Sequence, residues 1–352
     1  MKENGGDSRG QEDQMRKRDC DFSQLEAVLR RERPDRPVLF ELLFDYPIYE
    51  KMAGRAASDD TPLERLKVVV EAFARYGYDY ASSYACDMPF PIGQQKKAKT
   101  VSANDGFVIT DWASFEAYRW PDPEGCDYSR LEAIKPYLPD GMKLMAMGPG
   151  GVLENAMALT GYDNMCYMLY EEPELLEAIF REVGSRLVRY YQLAAQYDTV
   201  GVIMSNDDWG FNTQTFLSVK DMRRLVFPWH KKIVEAAHSH GKPAVLHSCG
   251  YFQDVIEDII EDMGYDGRHS YEDNIMPVEE AYRRWGGHIA ILGGLDMDFL
   301  VRSTPQAIGA RARAMLDMAR ERGGYALGSG NSVPYYLPFD HYEAMIAPAL
   351  GG

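Results

Sequence analysis

The chain has 352 residues, enough for one large domain or two ordinary ones, and 45% of them are apolar, which excludes wholesale disorder. The 38 basic and 54 acidic side chains give a formal net charge of −16. A field of this sign repels nucleic acid and anionic membranes, and no apolar run is long enough to cross a bilayer, so we expect neither as a partner.

The beginning of the chain is polar and lacks the apolar centre of a signal peptide. We therefore expect a flexible tail at 1–20, followed by one domain at 21–352. The five cysteines are odd in number and never adjacent, which favours reduced thiols over a disulfide framework. Both features indicate a cytoplasmic protein.

Short apolar runs alternate with amphipathic segments along the rest of the chain. The runs predict eight strands, at 38–44, 78–84, 143–147, 199–205, 243–247, 265–270, 288–292 and 325–328. The longer segments predict helices at 62–76, 173–197, 221–240, 253–263 and 305–322. One insertion reads as a β-hairpin over 98–111, with its turn at 103–106.

Alternating strands and helices place the chain in the α/β class with a parallel sheet. Eight such units in one chain of this length predict a closed (β/α)8 TIM barrel. The active site of such a barrel lies at the carboxyl ends of its strands.

Polar side chains follow the predicted strands, where that site would lie. They are Asp87, Glu154, Asp207, Asp208, His247, Cys249 and Asn331. The structural alternative for Asp87 is a helix cap, and for Glu154 it is a helix cap or a surface ion pair. For Asp207 and Asp208 it is an ordinary loop.

His247 and Cys249 form the most informative pair. Positions i and i+2 of an extended segment face the same side, and imidazole nitrogen and thiolate sulfur are both good zinc ligands. A buried cysteine beside a hydrogen-bonded histidine is the structural alternative. Asp208 or Asp207 is the first choice for a further ligand, with Glu154 and Cys86 in reserve, and the sequence leaves this choice open.

From about residue 35 the chain resembles the uroporphyrinogen decarboxylase superfamily of (β/α)8 barrels. The resemblance rests on GPGGVLENAMAL at 148–159, the segment 216–250 ending in HSCG, GGLDMDFLVRSTPQAI at 293–308 and GSGNSVPYYLPFDHYEAMI at 328–346. The superfamily includes the haem-pathway decarboxylase and zinc-dependent methyltransferases that use cobalamin or another corrinoid. HSCG at 247–250 is similar to the zinc motif of the methyltransferases.

Two departures bear on activity. The decarboxylases carry arginines after the first strand to hold propionates, whereas 37–50 has none and places Glu41 and Asp45 there, although Asp87 matches the decarboxylase's catalytic acid. Methyltransferases of the coenzyme M type carry a third zinc ligand, a cysteine on the last loop, and 328–332 has no cysteine.

The resemblance implies an enzyme. It would be a zinc-dependent methyltransferase moving a methyl group from a small donor, such as a methyl ether or methylamine, to or from a corrinoid that is free or on a partner protein. Asp87, Glu154 and Asn331 would orient the substrate or relay a proton. The alternatives are a decarboxylase of a porphyrinogen-like or smaller acid using Asp87, and a non-catalytic barrel that binds a small molecule or a corrinoid protein. The oligomeric state stays open, with a homodimer as one option.

Overall fold

The computed structural model describes residues 18–94 and 104–351. Of the predicted tail, residues 1–17 lie outside this part, and residues 18–20 are packed against the domain. Arg18 donates hydrogen bonds to the carbonyls of Gly77 at 2.8 Å and Pro37 at 2.9 Å.

Eight parallel strands form one sheet, which confirms the predicted barrel class. They are β1 Val38–Leu39, β2 Tyr80–Tyr84, β3 Lys143–Met147, β4 Val200–Asn206, β5 Ala244–His247, β6 Gly267–His269, β7 Ala290–Leu292 and β8 Tyr325–Leu327. Neighbours follow chain order from β2 to β8, and β8 pairs with β1. The strands are buried almost throughout, as expected where helices cover one face and side chains fill the other. Most are apolar, but β6 consists of Gly267, Arg268 and His269.

Helices connect the strands. They are α1 Phe22–Leu29, α2 Tyr46–Ala53, α3 Pro62–Arg75, α4 Trp112–Ala117, α5 Arg130–Ala133, α6 Val152–Thr160, α7 Tyr162–Glu171, α8 Pro173–Ala195, α9 Val219–Leu225, α10 Phe227–His238, α11 Val278–Trp285, α12 Met297–Arg302, α13 Pro305–Ala319 and α14 Phe339–Ile346. Single 3₁₀ turns occupy Pro123–Gly125, Lys135–Tyr137, Gln253–Val255 and Ala347–Leu350, and Asp258–Met263 is a π-helix. None of the described helices has the length and apolar character needed to cross a membrane.

A tyrosine side chain joins the two ends of the sheet. Within the described residues β1 and β2 share no backbone ladder. Instead, the Tyr80 hydroxyl accepts a hydrogen bond from the amide of Glu41 at 2.7 Å and donates one to its carbonyl at 2.6 Å. The first strand ends at Leu39, with its register to β8, five residues earlier than predicted.

Two predicted helices are interrupted. The segment 221–240 divides at Val226 into α9 and α10, because Pro228 lacks the amide hydrogen that a continuous helix requires. The segment 253–263 is a 3₁₀ turn followed by the π-helix.

The predicted β-hairpin lies only partly within the described residues, since 98–103 fall outside them. Its second arm, 107–111, forms no strand. The amides of Val108 and Ile109 instead donate to the carbonyl of Leu159, at 2.8 and 2.9 Å, at the end of α6.

Candidate metal centre at the barrel mouth

The carboxyl ends of β4, β5 and β6 bring the candidate ligands together. His247 is the last residue of β5 and lies in register with Asn206 on β4 and His269 on β6. Asp208 follows β4 by two residues, and Cys249 follows β5 by two. Parallel register therefore places side chains from separate segments at one end of the barrel.

Asp208, His247 and Cys249 each offer one ligand atom within 4.8 Å of the others. The Cys249 sulfur lies 3.5 Å from His247 Nε2. Oδ1 of Asp208 accepts a hydrogen bond from the Cys249 amide at 2.8 Å, which holds the carboxylate beside the sulfur. Among the described residues, this is the one group of three or more His, Cys, Asp or Glu side chains with such spacing.

Two donors approach the Cys249 sulfur. Asn331 Nδ2, on the loop after β8, and the Ser270 hydroxyl, just after β6, each lie 3.3 Å from it. Ser270 has a φ of +84°, in the left-handed region that a residue with a side chain rarely adopts. Burial and the Asp208 charge raise the pKa of the Cys249 thiol to about 12.

A chain of hydrogen bonds extends behind His247. His247 Nδ1 lies 2.8 Å from His269 Nδ1, and His269 Nε2 lies 3.0 Å from the Ser329 carbonyl. Burial lowers the pKa of His247 to about 3 and that of His269 well below its usual value. Both rings are therefore neutral near pH 7. His269 was not among the predicted site residues.

Glu41 continues this chain towards β1. It is fully buried, its carboxyl accepts the Ser329 amide at 2.9 Å, and it shares a short hydrogen bond with the Ser329 hydroxyl. That hydroxyl also lies 2.6 Å from the Asn331 carbonyl, which can only accept. Burial raises the pKa of Glu41 to about 8. A neutral Glu41 can donate to the hydroxyl while the hydroxyl donates to Asn331.

Asp207, the other predicted ligand from this loop, points away from the cluster. Its two oxygens accept hydrogen bonds from the amides of Leu153 and Glu154, both at 3.0 Å, at the amino end of α6. His230 Nε2 lies 2.9 Å from the same carboxylate, and both side chains are fully buried. The structure assigns Asp207 to holding α6 against the barrel, so of the two aspartates only Asp208 belongs to the centre.

Glu154 both caps a helix and faces the site. Its Oε2 accepts the Gly151 amide at 2.9 Å, so the capping alternative is confirmed. It also lines a cavity of about 110 Å³ together with Asp208 and His247. Burial and the charges of Asp207 and Asp208 raise the pKa of Glu154 to about 8.

Asp87 and Cys86 are not part of the cluster. The Asp87 side chain is 74% exposed and pairs with Arg130 at 2.7 Å. It lines a cavity of about 590 Å³ that shares Tyr84 and Met147 with the Glu154 cavity. The buried Cys86 lies beside Tyr128 and Cys126.

A larger, acidic cavity opens on the other side of the cluster. Its volume is about 770 Å³, and both Asp208 and Cys249 line it. Further acidic side chains in its wall are Glu272, Asp273, Asp296 and Asp298. Asp208 thus separates this cavity from the Glu154 cavity, and both reach the candidate ligands.

Comparison with known proteins places this architecture in a family. The family model for uroporphyrinogen decarboxylase (URO-D) matches residues 105–349. The uroporphyrinogen decarboxylase of Sorangium cellulosum is 27% identical over 302 residues, covering 81% of this chain and 82% of that protein. The uroporphyrinogen decarboxylase of Streptomyces avermitilis is 32% identical over 119 residues. This match covers 34% of this chain and 32% of that protein's length.

A solved structure is similar over nearly the whole chain. It is a methyltransferase from Methanosarcina mazei, with a TM-score of 0.69, covering 94% of this chain and 98% of that one. At 15% sequence identity the likeness supports a common fold.

Proposed function

The chain belongs to the uroporphyrinogen decarboxylase family, and within this family we propose that it is a zinc-dependent methyltransferase. Such an enzyme would pass a methyl group between a small methylated donor and a corrinoid. The observation that carries this proposal is the cluster of Asp208, His247 and Cys249 at the barrel mouth. The fold of the Methanosarcina mazei methyltransferase is compatible with it.

The donor set suits zinc. Sulfur, imidazole nitrogen and carboxylate oxygen are its usual ligands, and a catalytic site has three protein ligands and one open position. Tetrahedral zinc with bonds of about 2.1 Å to nitrogen and 2.3 Å to sulfur sets these atoms about 3.6 Å apart. The 3.5 Å between Cys249 Sγ and His247 Nε2 agrees with this spacing.

A zinc ion held there would supply Lewis acidity to the heteroatom that bears the methyl group, and a reduced corrinoid would supply the methyl acceptor. The protein's own groups prepare this chemistry. Asn331 and Ser270 donate to the Cys249 sulfur and would stabilise its thiolate. Burial raises the pKa of Glu154, which lines the cavity beside Asp208, so it could protonate the heteroatom that loses its methyl group.

The shape and charge of the mouth favour small neutral or cationic donors. The acidic wall of the 770 Å³ cavity would repel a substrate with several carboxylates. Glu41, where arginines would hold propionates in the decarboxylases, is buried and bound to Ser329. These features argue against a haem-pathway substrate.

A second candidate function is decarboxylation without metal. It is favoured by Asp87, which lines the 590 Å³ cavity together with Arg65 and Arg130. Both arginines already pair with carboxylates, Arg65 with Asp60 and Arg130 with Asp87. Less positive charge is therefore left for an acidic substrate.

The test begins with metal analysis of protein purified without chelator, followed by assay of corrinoid methylation with a panel of methyl ethers, methanol and methylamines. We expect one zinc per chain in the wild type and none in Cys249→Ser. The control Cys166→Ser, on α7, should keep its zinc. Wild-type protein that takes up no zinc would exclude the proposal. Metal-independent decarboxylation that is lost in Asp87→Asn would establish the second candidate instead.

A further inference from the structure

The histidine pair at the barrel mouth has room for only one proton between its rings. His247 and His269 are neighbours in the β5–β6 register, and their Nδ1 atoms are 2.8 Å apart. Two N–H groups cannot face each other at that distance, so one nitrogen donates and the other accepts.

The Ser329 carbonyl decides which ring donates. A carbonyl only accepts, so His269 Nε2, 3.0 Å away, must carry a proton. A neutral His269 then has a lone pair on Nδ1, and the shared proton belongs to His247 Nδ1. His247 Nε2 is left unprotonated, facing the Cys249 sulfur.

A second proton on His269 would reverse this assignment, but the surroundings oppose a cation. Both rings are buried, and the buried Arg268 guanidinium, which donates to the carbonyls of Ser248 and Ser270 beside them, adds a like charge nearby. Among the described residues, the histidines that pair with carboxylates are His230 and His238 rather than these two.

We propose that His269 is a positioning residue that fixes the His247 tautomer whose Nε2 can bind a metal. This inference rests on the proposed function, because the tautomer matters only if His247 binds a metal. His269 binds no substrate itself and acts only through His247.

The surroundings of His269 hold its ring in place. Phe40 packs against it with ring centroids 5.2 Å apart. Gly293 has a φ of +63°, and a Cβ there would lie 3.0 Å from the His269 ring and 2.3 Å from the Ser329 oxygen. Glu41 in turn binds the amide and hydroxyl of Ser329. The acceptor that orients His269 is therefore itself fixed.

The first measurement reads the tautomer directly. Nitrogen NMR of metal-free wild-type protein carrying ¹⁵N-labelled histidine should show His247 protonated at Nδ1 and bare at Nε2. Assignment uses His247→Gln, which removes one ring from the spectrum. A His247 protonated at Nε2 would overturn the proposal, whether or not the protein binds zinc.

The second measurement is zinc affinity by competition with a chelator. His269→Leu removes the acceptor, and we expect its affinity to fall about 10–100-fold, as for other orienting partners of metal-bound histidine. His269→Gln can accept through its amide oxygen and donate through its nitrogen, so it should retain most of the affinity. His238→Gln, at a partly exposed histidine that pairs with Asp266, is the control and should bind like the wild type.

Thermal melting of the metal-free variants separates positioning from folding. If His269→Leu does not fold, the NMR result and the His269→Gln affinity still decide the proposal. Equal zinc affinity in a folded His269→Leu and the wild type would refute it. A wild type without zinc affinity would refute the proposed function, and the tautomer would still be decided by NMR.

Discussion

Replacing Glu41 with glutamine should stabilise the protein at alkaline pH and leave it nearly unchanged in acid. Glu41 is completely buried and, within the described residues, has an amide and a hydroxyl of Ser329 as side-chain partners rather than a basic group. Burial raises its pKa from 4.5 to about 8. The folded protein therefore prefers the protonated carboxyl.

The sign and size of the effect follow from this difference. Between pH 4.5 and 8 the unfolded chain loses the Glu41 proton while the folded chain keeps it, so folding becomes less favourable as pH rises. Each pH unit in this interval lowers the free energy of unfolding by about 1.4 kcal/mol, which amounts to roughly 5 kcal/mol in total. Above the interval the loss stays constant. The amide of the substituted glutamine stays neutral, and it can accept the Ser329 amide and donate to the Ser329 hydroxyl.

Urea denaturation followed by circular dichroism from pH 4.5 to 9, with chelator present, measures this difference. We expect Glu41→Gln to match the wild type within about 1 kcal/mol near pH 4.5 and to exceed it by roughly 3–5 kcal/mol at pH 8.5. Glu321→Gln, at an exposed carboxyl, is the control and should follow the wild type throughout. Parallel profiles for Glu41→Gln and the wild type would refute a buried, protonated Glu41.

Three further substitutions test the centre and its support. Asp208→Asn keeps an acceptor for the Cys249 amide but loses the negative charge. Chelator competition should show a zinc affinity at least about tenfold lower, while the melting temperature of the metal-free protein stays unchanged. Unchanged zinc affinity would exclude Asp208 as a ligand. Gly293→Ala should destabilise the fold by about 1–3 kcal/mol in urea because of its φ of +63° and the clash with Ser329. Gly287→Ala, where a Cβ meets no atom of the described residues within 4 Å, should not. Equal stability of the two variants would contradict the packing described. Asp207→Asn should cost about 3 kcal/mol by weakening the buried pair with His230, against at most about 1 kcal/mol for the exposed pair in Asp87→Asn; equal losses would contradict the structural role of Asp207.

Most of the strands were predictable because a buried parallel strand is an apolar run bounded by turns. The prediction over 143–147 coincides with β3. The first strand was predicted five residues too long, because its register with β8 ends at Leu39. The Tyr80 hydroxyl bonds to the amide and carbonyl of Glu41, and no local pattern reveals a contact across 39 residues. Pro228 could have predicted the break between α9 and α10, because proline lacks the amide hydrogen of a continuous helix. The amphipathic pattern continues across it, so the prediction missed the break.

At the site, spacing within one segment predicted His247 and Cys249, but the choice between neighbouring aspartates required tertiary contacts. Asp207 and Asp208 are adjacent and chemically identical. His230, on α10, and the amino end of α6 engage Asp207, and only their position in the fold leaves Asp208 to the centre. His269 had a usable signal, because it lies near the end of the sixth predicted strand as His247 ends the fifth.

The same polar chain that orients the centre also ties the barrel together. It starts at Glu41, just after β1, passes through Ser329 after β8 and His269 on β6, and reaches His247 on β5. Each member satisfies a buried polar group of the next, so removing one leaves a partner unpaired as well as misplaced. A zinc ion bound at the proposed centre would therefore stabilise the barrel mouth, because a ligand that binds only the folded arrangement stabilises every bond that this arrangement requires. Under the proposed function, this linkage would give a physical reason for burying two histidines and a carboxyl where apolar side chains would pack as well.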